Sequence, residues 1–265
     1  MALLGASGAI GAGAALFMRS ASRPLVPDAI PLLRYRCVGP QLPGSPLNAS
    51  RVSIPNFARH MRYLKRRRFR PVTLSEALDH ARDPDFLAST PVAVCFDGAY
   101  QSFLDCALPT LRRLEIDRAT VFVATAAIAG DNRYEVRGRG RVEPTIDRER
   151  LARLSAEGFE LGSLGHSGRA FDLLGAGPML ADLQSSSAAL KELTGTAPRC
   201  LAYPEDIVAS SARACYRKAG FTAIASIGQE GVLERATPRD QLPRYPIGRG
   251  ATSVELALAL SLRAS

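Results

Sequence analysis

Paired cysteines, lysine and histidine are what this sequence has least of. Its five cysteines (Cys37, Cys95, Cys106, Cys200 and Cys215) are odd in number and show no CxxC spacing. That excludes a disulfide framework and a cysteine-built structural zinc site. Cys95 and Cys200 lie inside apolar runs and read as small core residues. Histidine occurs only at positions 60, 80 and 166, so none follows His166. Only 3 lysines stand beside 31 arginines. No helix-turn-helix, zinc-finger or RNA-binding signature accompanies the arginines, and specific nucleic-acid binding is not expected. With 46% apolar and 22% charged residues, 22 glycines and 18 prolines, the chain is neither disordered, collagen-like nor a coiled coil.

What is present suits a folded domain of some size. The 265 residues fit one large domain or two small ones at the usual ~100–200 residues per domain. The net charge of +9 favours anionic partners such as acidic glycans, lipid headgroups or nucleic acid; compositional bias toward arginine is the competing reading. The one dense basic run, Lys65 to Arg68, ends an amphipathic segment and reads as a solvated helix end. From Ala2 to Met18 there is no charge, and Arg19 and Arg23 follow. Residues 1–25 are therefore set apart as a signal, membrane anchor or tail, and 26–265 as the folded domain. Membrane association through residues 2–18 and a cell-envelope location are the expectation; a cytoplasmic location is the alternative.

Beyond residue 30, apolar runs alternate with amphipathic segments. Strands are expected at Leu32–Arg36, Val92–Phe96, Thr120–Ala124, Phe159–Gly162, Cys200–Tyr203, Thr222–Ser226 and Leu242–Ile247. Between them, Phe57, Met61 and Leu64 repeat at helical spacing. Thr73 to Glu76 and Thr252 to Glu255 form capping boxes, and Gly195 and Gly220 stop two further helices. Strand–helix alternation without a composition break predicts parallel strands in a closed or nearly closed barrel. In such barrels the carboxyl ends of the strands face the site. That picks out Asp97, Ser163–Gly168 and Pro204–Asp206. The long loop from Asp131 to Thr145 carries four arginines, and reads as a lid, a rim for an anionic ligand or a mobile surface loop.

Those strand ends are familiar. Over residues 30–250 the chain resembles the polysaccharide deacetylase family, the NodB-homology domain of carbohydrate esterase family 4. Pro31-Leu-Leu-Arg-Tyr-Arg36 is similar to the family's opening strand, which usually ends in Tyr-His, and Phe57–Leu78 to the helix and turn that follow. Val92-Ala-Val-Cys-Phe-Asp-Gly-Ala-Tyr100 is similar to Thr-Phe-Asp-Asp-Gly-Tyr. Glu160-Leu-Gly-Ser-Leu-Gly-His-Ser-Gly168 is similar to Glu-Ile-Gly-Ser-His-Gly-x-Ser-His. Leu201-Ala-Tyr-Pro204 and Leu242-Pro-Arg-Tyr-Pro-Ile247 match the last two segments. The resemblance implies a distorted (β/α)7 barrel that removes acetyl groups from sugars with zinc or another divalent metal. A metal-bound water attacks the amide while a carboxylate takes its proton.

By the same resemblance, Asp97 falls on the base. Gly98, Leu164 and Gly168 fall on the aspartate and two histidines that hold the metal, and Arg36 falls on the opening-strand histidine. His166 lies two residues from each histidine position, where it points elsewhere. No metal or other cofactor is therefore expected, because zinc needs three or four N, O or S donors. If the register is right, Gly98→Asp, Leu164→His and Gly168→His together are expected to create zinc affinity. Tyr100, Ser163, His166, Tyr203, Pro204 and Glu205 are the candidate substrate contacts. Each has a plainer reading: pocket wall for Tyr100, loop backbone partner for Ser163, exposed loop histidine for His166, core for Tyr203, helix cap for Glu205. Asp97 itself can persist as a cap or an arginine's partner.

Three functions follow. The first is a non-catalytic homologue that binds an acetylated polysaccharide or oligosaccharide, or an envelope protein, in cell-envelope polysaccharide metabolism. The second is an active carbohydrate N- or O-deacetylase with a site rebuilt around Asp97. The third is a membrane-tethered basic interaction module.

Overall fold

A computed structural model of the chain describes residues 29–261, apart from 137, 204–207, 209 and 229–230. The expected N-terminal segment lies outside the described residues, as do Pro204, Glu205 and Asp206. Among the described residues no helix is long and apolar enough to cross a membrane.

Seven strands make the frame: β1 (Ile30–Tyr35), β2 (Pro91–Asp97), β3 (Thr120–Val123), β4 (Glu160–Ser163), β5 (Cys200–Ala202), β6 (Ala223–Ile227) and β7 (Leu242–Pro246). Each pairs in parallel with the next, and β7 pairs in parallel with β1, so the ring closes. The closure is uneven. β1 and β2 share four registered pairs, whereas β4 and β5 share only Ser163 with Leu201. This is the distorted seven-stranded α/β barrel that the sequence predicts. Two short strands extend it, Arg70–Val72 beside the start of β2 and Val232–Leu233 antiparallel to the start of β1.

The crossovers are helical, as buried parallel strands require. Helices α1 (Ile54–Arg66), α2 (Leu74–His80) and α3 (Pro84–Ala88) join β1 to β2. A π-helical turn at Phe103–Ala107 leads into α4 (Leu108–Arg113). Then come α5 (Arg148–Ala156), α6 (Ala176–Thr194) and α7 (Ser210–Lys218), with α8 (Ser253–Ser261) after the last strand. Both capping boxes form. Thr73 and Glu76 satisfy each other's backbone donors, and so do Thr252 and Glu255. Gly195 ends α6 at φ +79°.

Strand side chains alternate between two faces, and here the faces are sorted by size. Outward, Leu33, Tyr35, Val94, Phe96, Val121 and Val123 pack beneath the helices. Inward, small residues (Ala93, Cys95, Cys200, Ala202, Ala223, Ala225) surround one large ring, Phe122. A Cβ on Gly162 would stand 2.5 Å from that ring, so only glycine fits beside it. The base is closed by α2, whose Leu74, Ala77 and Leu78 join the inner cluster. Two residues further along the inward columns of Leu32, Cys95 and Leu242 stand Arg34, Asp97 and Arg244. At the carboxyl mouth, three apolar columns end in charge.

Candidate functional site

Asp97 is buried, 2% exposed. Arg244 Nη1 lies 2.5 Å from its Oδ1 and Nη2 3.2 Å from its Oδ2, and Arg34 Nε lies 2.5 Å from Oδ2. Arg244 spends its remaining donors on the carbonyls of Ala225 and Ser226, and its guanidinium sits 4.8 Å over the Phe122 ring. It is fully buried. Burial works to raise the Asp97 carboxyl; the charges of Arg244 and Arg34, and their hydrogen bonds, outweigh it and hold the group at about 2.

A second knot lies beside the first. Arg36 pairs with Glu135 from the long loop, and Tyr100 Oη and Asn132 Nδ2 donate to the same carboxylate. Burial pushes the Tyr100 hydroxyl up, so it donates at any ordinary pH. The loop is fastened at both ends. Tyr100 bridges to Thr145 and Asp131 to Pro144, while Asn132 accepts from the Glu143 backbone. Buried Arg51 and Ser45 both bond the Glu143 carboxylate. Of the three readings of this loop, a fixed rim fits that anchoring.

The positions that the resemblance gives to metal ligands are filled. Gly98 and Ala99 both have positive φ, +105° and +47°, so the chain doubles back after β2. The Tyr100 ring comes to lie where a Gly98 side chain would stand, 2.4 Å from an ideal Cβ. Gly168, at φ +69°, has the Tyr134 ring 2.7 Å from its ideal Cβ. Leu164 packs against the inner core and lines the cavity. Among the described residues no three histidine, cysteine, aspartate or glutamate side chains gather as a metal would need. His60 is buried in α1, bonded to Tyr35 and the Ala251 carbonyl, and His80 sits at the surface beside Asp83. Among the described residues, the side chains at these positions offer no donor set that fits a divalent metal. The expectation that three substitutions restore zinc meets a steric obstacle here, since side chains at two of the three positions, Gly98 and Gly168, would meet aromatic rings.

The remaining candidates part company. His166 binds Thr125 Oγ1 through Nδ1 at 2.9 Å, and its backbone N–H and that of Ser167 both donate to Asp182 of α6. It is half-buried and is not among the residues lining the cavity over Asp97. Ser163 points outward, 2.6 Å from Ser186 on α6, and accepts from the Gly165 backbone. Tyr203 is fully buried and stacks on Phe171. Ser163 and Tyr203 thus sit in packing and are not among the residues that line that cavity, although Tyr203 backs its wall residue Phe171. Ser163→Ala is expected to lower stability by about 1–2 kcal/mol, as for loss of a buried hydrogen bond, and to leave ligand binding unchanged. Thermal melts beside a binding titration check both.

A cavity of about 420 Å³ opens over Asp97, within the range of small-molecule sites. Arg34, Arg36, Arg169, Tyr134, Glu135 and Leu164 line it together with Phe171. Of these, Arg34 had a sequence signal, a charge in register with inward Leu32. Tyr134 and Glu135 lie in the long loop with a rim among its readings, though the sequence singles out neither, and Arg169 carried no signal.

Residues 87–224 match the family model described as polysaccharide deacetylase. No curated protein matches the chain. Among solved structures, Streptococcus pyogenes deacetylase PplD in complex with acetate superposes with a TM-score of 0.72 at 16% identity, over 89% of this chain and 99% of that one. BC0361, a polysaccharide deacetylase from Bacillus cereus, gives 0.71 at 18%, over 88% and 69%. IcaB from Ammonifex degensii gives 0.69 at 21%, over 89% and 97%. At these identities the likenesses concern the fold.

Proposed function

The chain belongs to the polysaccharide deacetylase family, and we propose that it binds a polysaccharide without deacetylating it. One observation carries this reading: the carboxylate at the base position is bracketed by two guanidiniums, while aromatic rings close two of the three metal-ligand positions. A general base must take a proton from water near neutral pH. A carboxyl held at about 2, with both oxygens already hydrogen-bonded, is a poor acceptor. The cavity above it remains open and of ligand size, which favours binding over a buried relic. This reading includes an envelope location, with Ala2 to Met18 as export signal or anchor.

The test is acetate release. Full-length protein, supplied with zinc, cobalt or nickel, is incubated with acetylated chitooligosaccharides and other acetylated glycans. Release at the blank rate is expected, with oligosaccharide binding detectable by calorimetry. Metal-dependent release that Asp97→Asn abolishes would establish the active, rebuilt-site alternative instead.

A further inference from the structure

We infer that the ligand of this cavity is an acidic glycan, one carrying uronate carboxylates. The inference rests on the glycan-binding reading and names the chemistry of the same site. Among the described residues three arginines line the cavity against two carboxylates, and both carboxylates are already engaged. Asp97 serves Arg34 and Arg244; Glu135 serves Arg36, Tyr100 and Asn132. The donors are not used up. Arg34 gives Asp97 only its Nε, leaving both Nη groups without a protein partner among the described residues. Arg36 gives Glu135 one Nη2, and its Nε is buried without an acceptor among the described residues. Arg169, exposed at the rim, makes no side-chain bond or ion pair among the described residues.

Among its described residues the cavity therefore offers cationic donors and few free acceptors. A neutral acetylated sugar offers hydroxyl and carbonyl oxygens as acceptors but no charge to match the guanidiniums. A carboxylate matches the guanidinium fork with two parallel bonds. Tyr134, Leu164 and Phe171 supply apolar wall for a sugar's ring face. The positive charge that a metal provides in the resembling family is here provided by arginine, and it suits a ligand that brings its own negative charge.

Calorimetry on the full chain would compare tetragalacturonate, its methyl ester, chitotetraose and dextran sulfate at physiological salt. Tetragalacturonate binding is expected, weakened at least tenfold by esterification. Arg169→Ala should weaken it roughly ten- to a hundredfold, the equivalent of one charge-assisted pair, with unchanged melting temperature. Arg169→Lys, which keeps the charge but not the fork, should fall between. Chitotetraose binding with no preference for the uronate would overturn the inference and leave the glycan-binding reading standing. Failure of every glycan to bind would overturn both. Equal binding of dextran sulfate, indifferent to Arg169→Ala, would put the attraction on the outer basic surface and also overturn the inference.

Discussion

Arg244→Met is expected to lower the unfolding free energy by about 3–5 kcal/mol, as when one partner is removed from a buried ion pair. The cost comes from what remains. Asp97 would keep its charge 2% exposed, with one guanidinium bond in place of three. Arg34→Met should cost less, because Arg34 contributes one bond and its side chain, 11% exposed, meets the cavity. Asp97→Leu combined with Arg244→Met should recover most of the loss, since an apolar pair of similar volume carries no desolvation penalty. Urea denaturation of the three variants at pH 7 checks the order. An Arg244→Met cost below 1 kcal/mol would show that the pair does not hold the barrel mouth together.

The same pair fixes the pH dependence. The Asp97 carboxyl is held at about 2, against an ordinary 3.8. A depressed carboxyl contributes stability that is complete above its unfolded value and is lost as pH falls through its folded value. Wild-type stability from this group should therefore be intact at pH 6 and decline between about pH 4 and pH 2. The shift corresponds to about 2 kcal/mol, at 1.36 kcal/mol per pH unit. In Arg244→Met that acid-dependent portion should shrink, because the folded carboxyl no longer gains its main counter-charge.

How legible this was depends on periodicity. Several barrel strands were readable because a strand buried on both faces is a continuous apolar run, as in β2, which is buried along its whole length. Two-residue strands such as Cys37–Val38 and Arg51–Val52 are too short to show any period. The π-helical turn at Phe103–Ala107 has no composition to announce it. For the site, one step of register decided much. Cys200 and Ala202 face inward, so their neighbour Tyr203 faces α6 and α7 rather than a ligand. Ser163, between inward Gly162 and Leu164, is turned outward by the same alternation. That parity was available from the strand assignments alone, and it also placed Arg34, Asp97 and Arg244 together. What closes the ligand positions was not available. Tyr134 and Glu135 reach the mouth from a loop without period, and the doubling back at Gly98 and Ala99 is a matter of backbone sign rather than residue type.

Grafting the metal ligands back is where that hidden geometry should tell most. Gly98→Asp, Leu164→His and Gly168→His in one chain are expected to give a largely unfolded protein that retains no zinc. Gly98 and Gly168 sit at φ +105° and +69°, where a side chain costs on the order of 1–3 kcal/mol each. The new side chains at these two positions must also displace a ring 2.4 to 2.7 Å away, and overpacking adds about 1–3 kcal/mol per site. Together these approach the ~5–15 kcal/mol that holds a whole domain. Adding Tyr100→Ala and Tyr134→Ala should recover folding, yet a dication brought beside Asp97 would still meet Arg34 and Arg244, both bonded to that carboxylate. Zinc content after desalting, read beside a thermal melt, separates failure to fold from failure to bind. A folded triple variant that retained one equivalent of zinc would mean that both rings swing aside, and the cavity over Asp97 would then be a metal site lacking only its ligands. The arginines hold the carboxylate at the base position, and their own charges oppose a dication placed beside it.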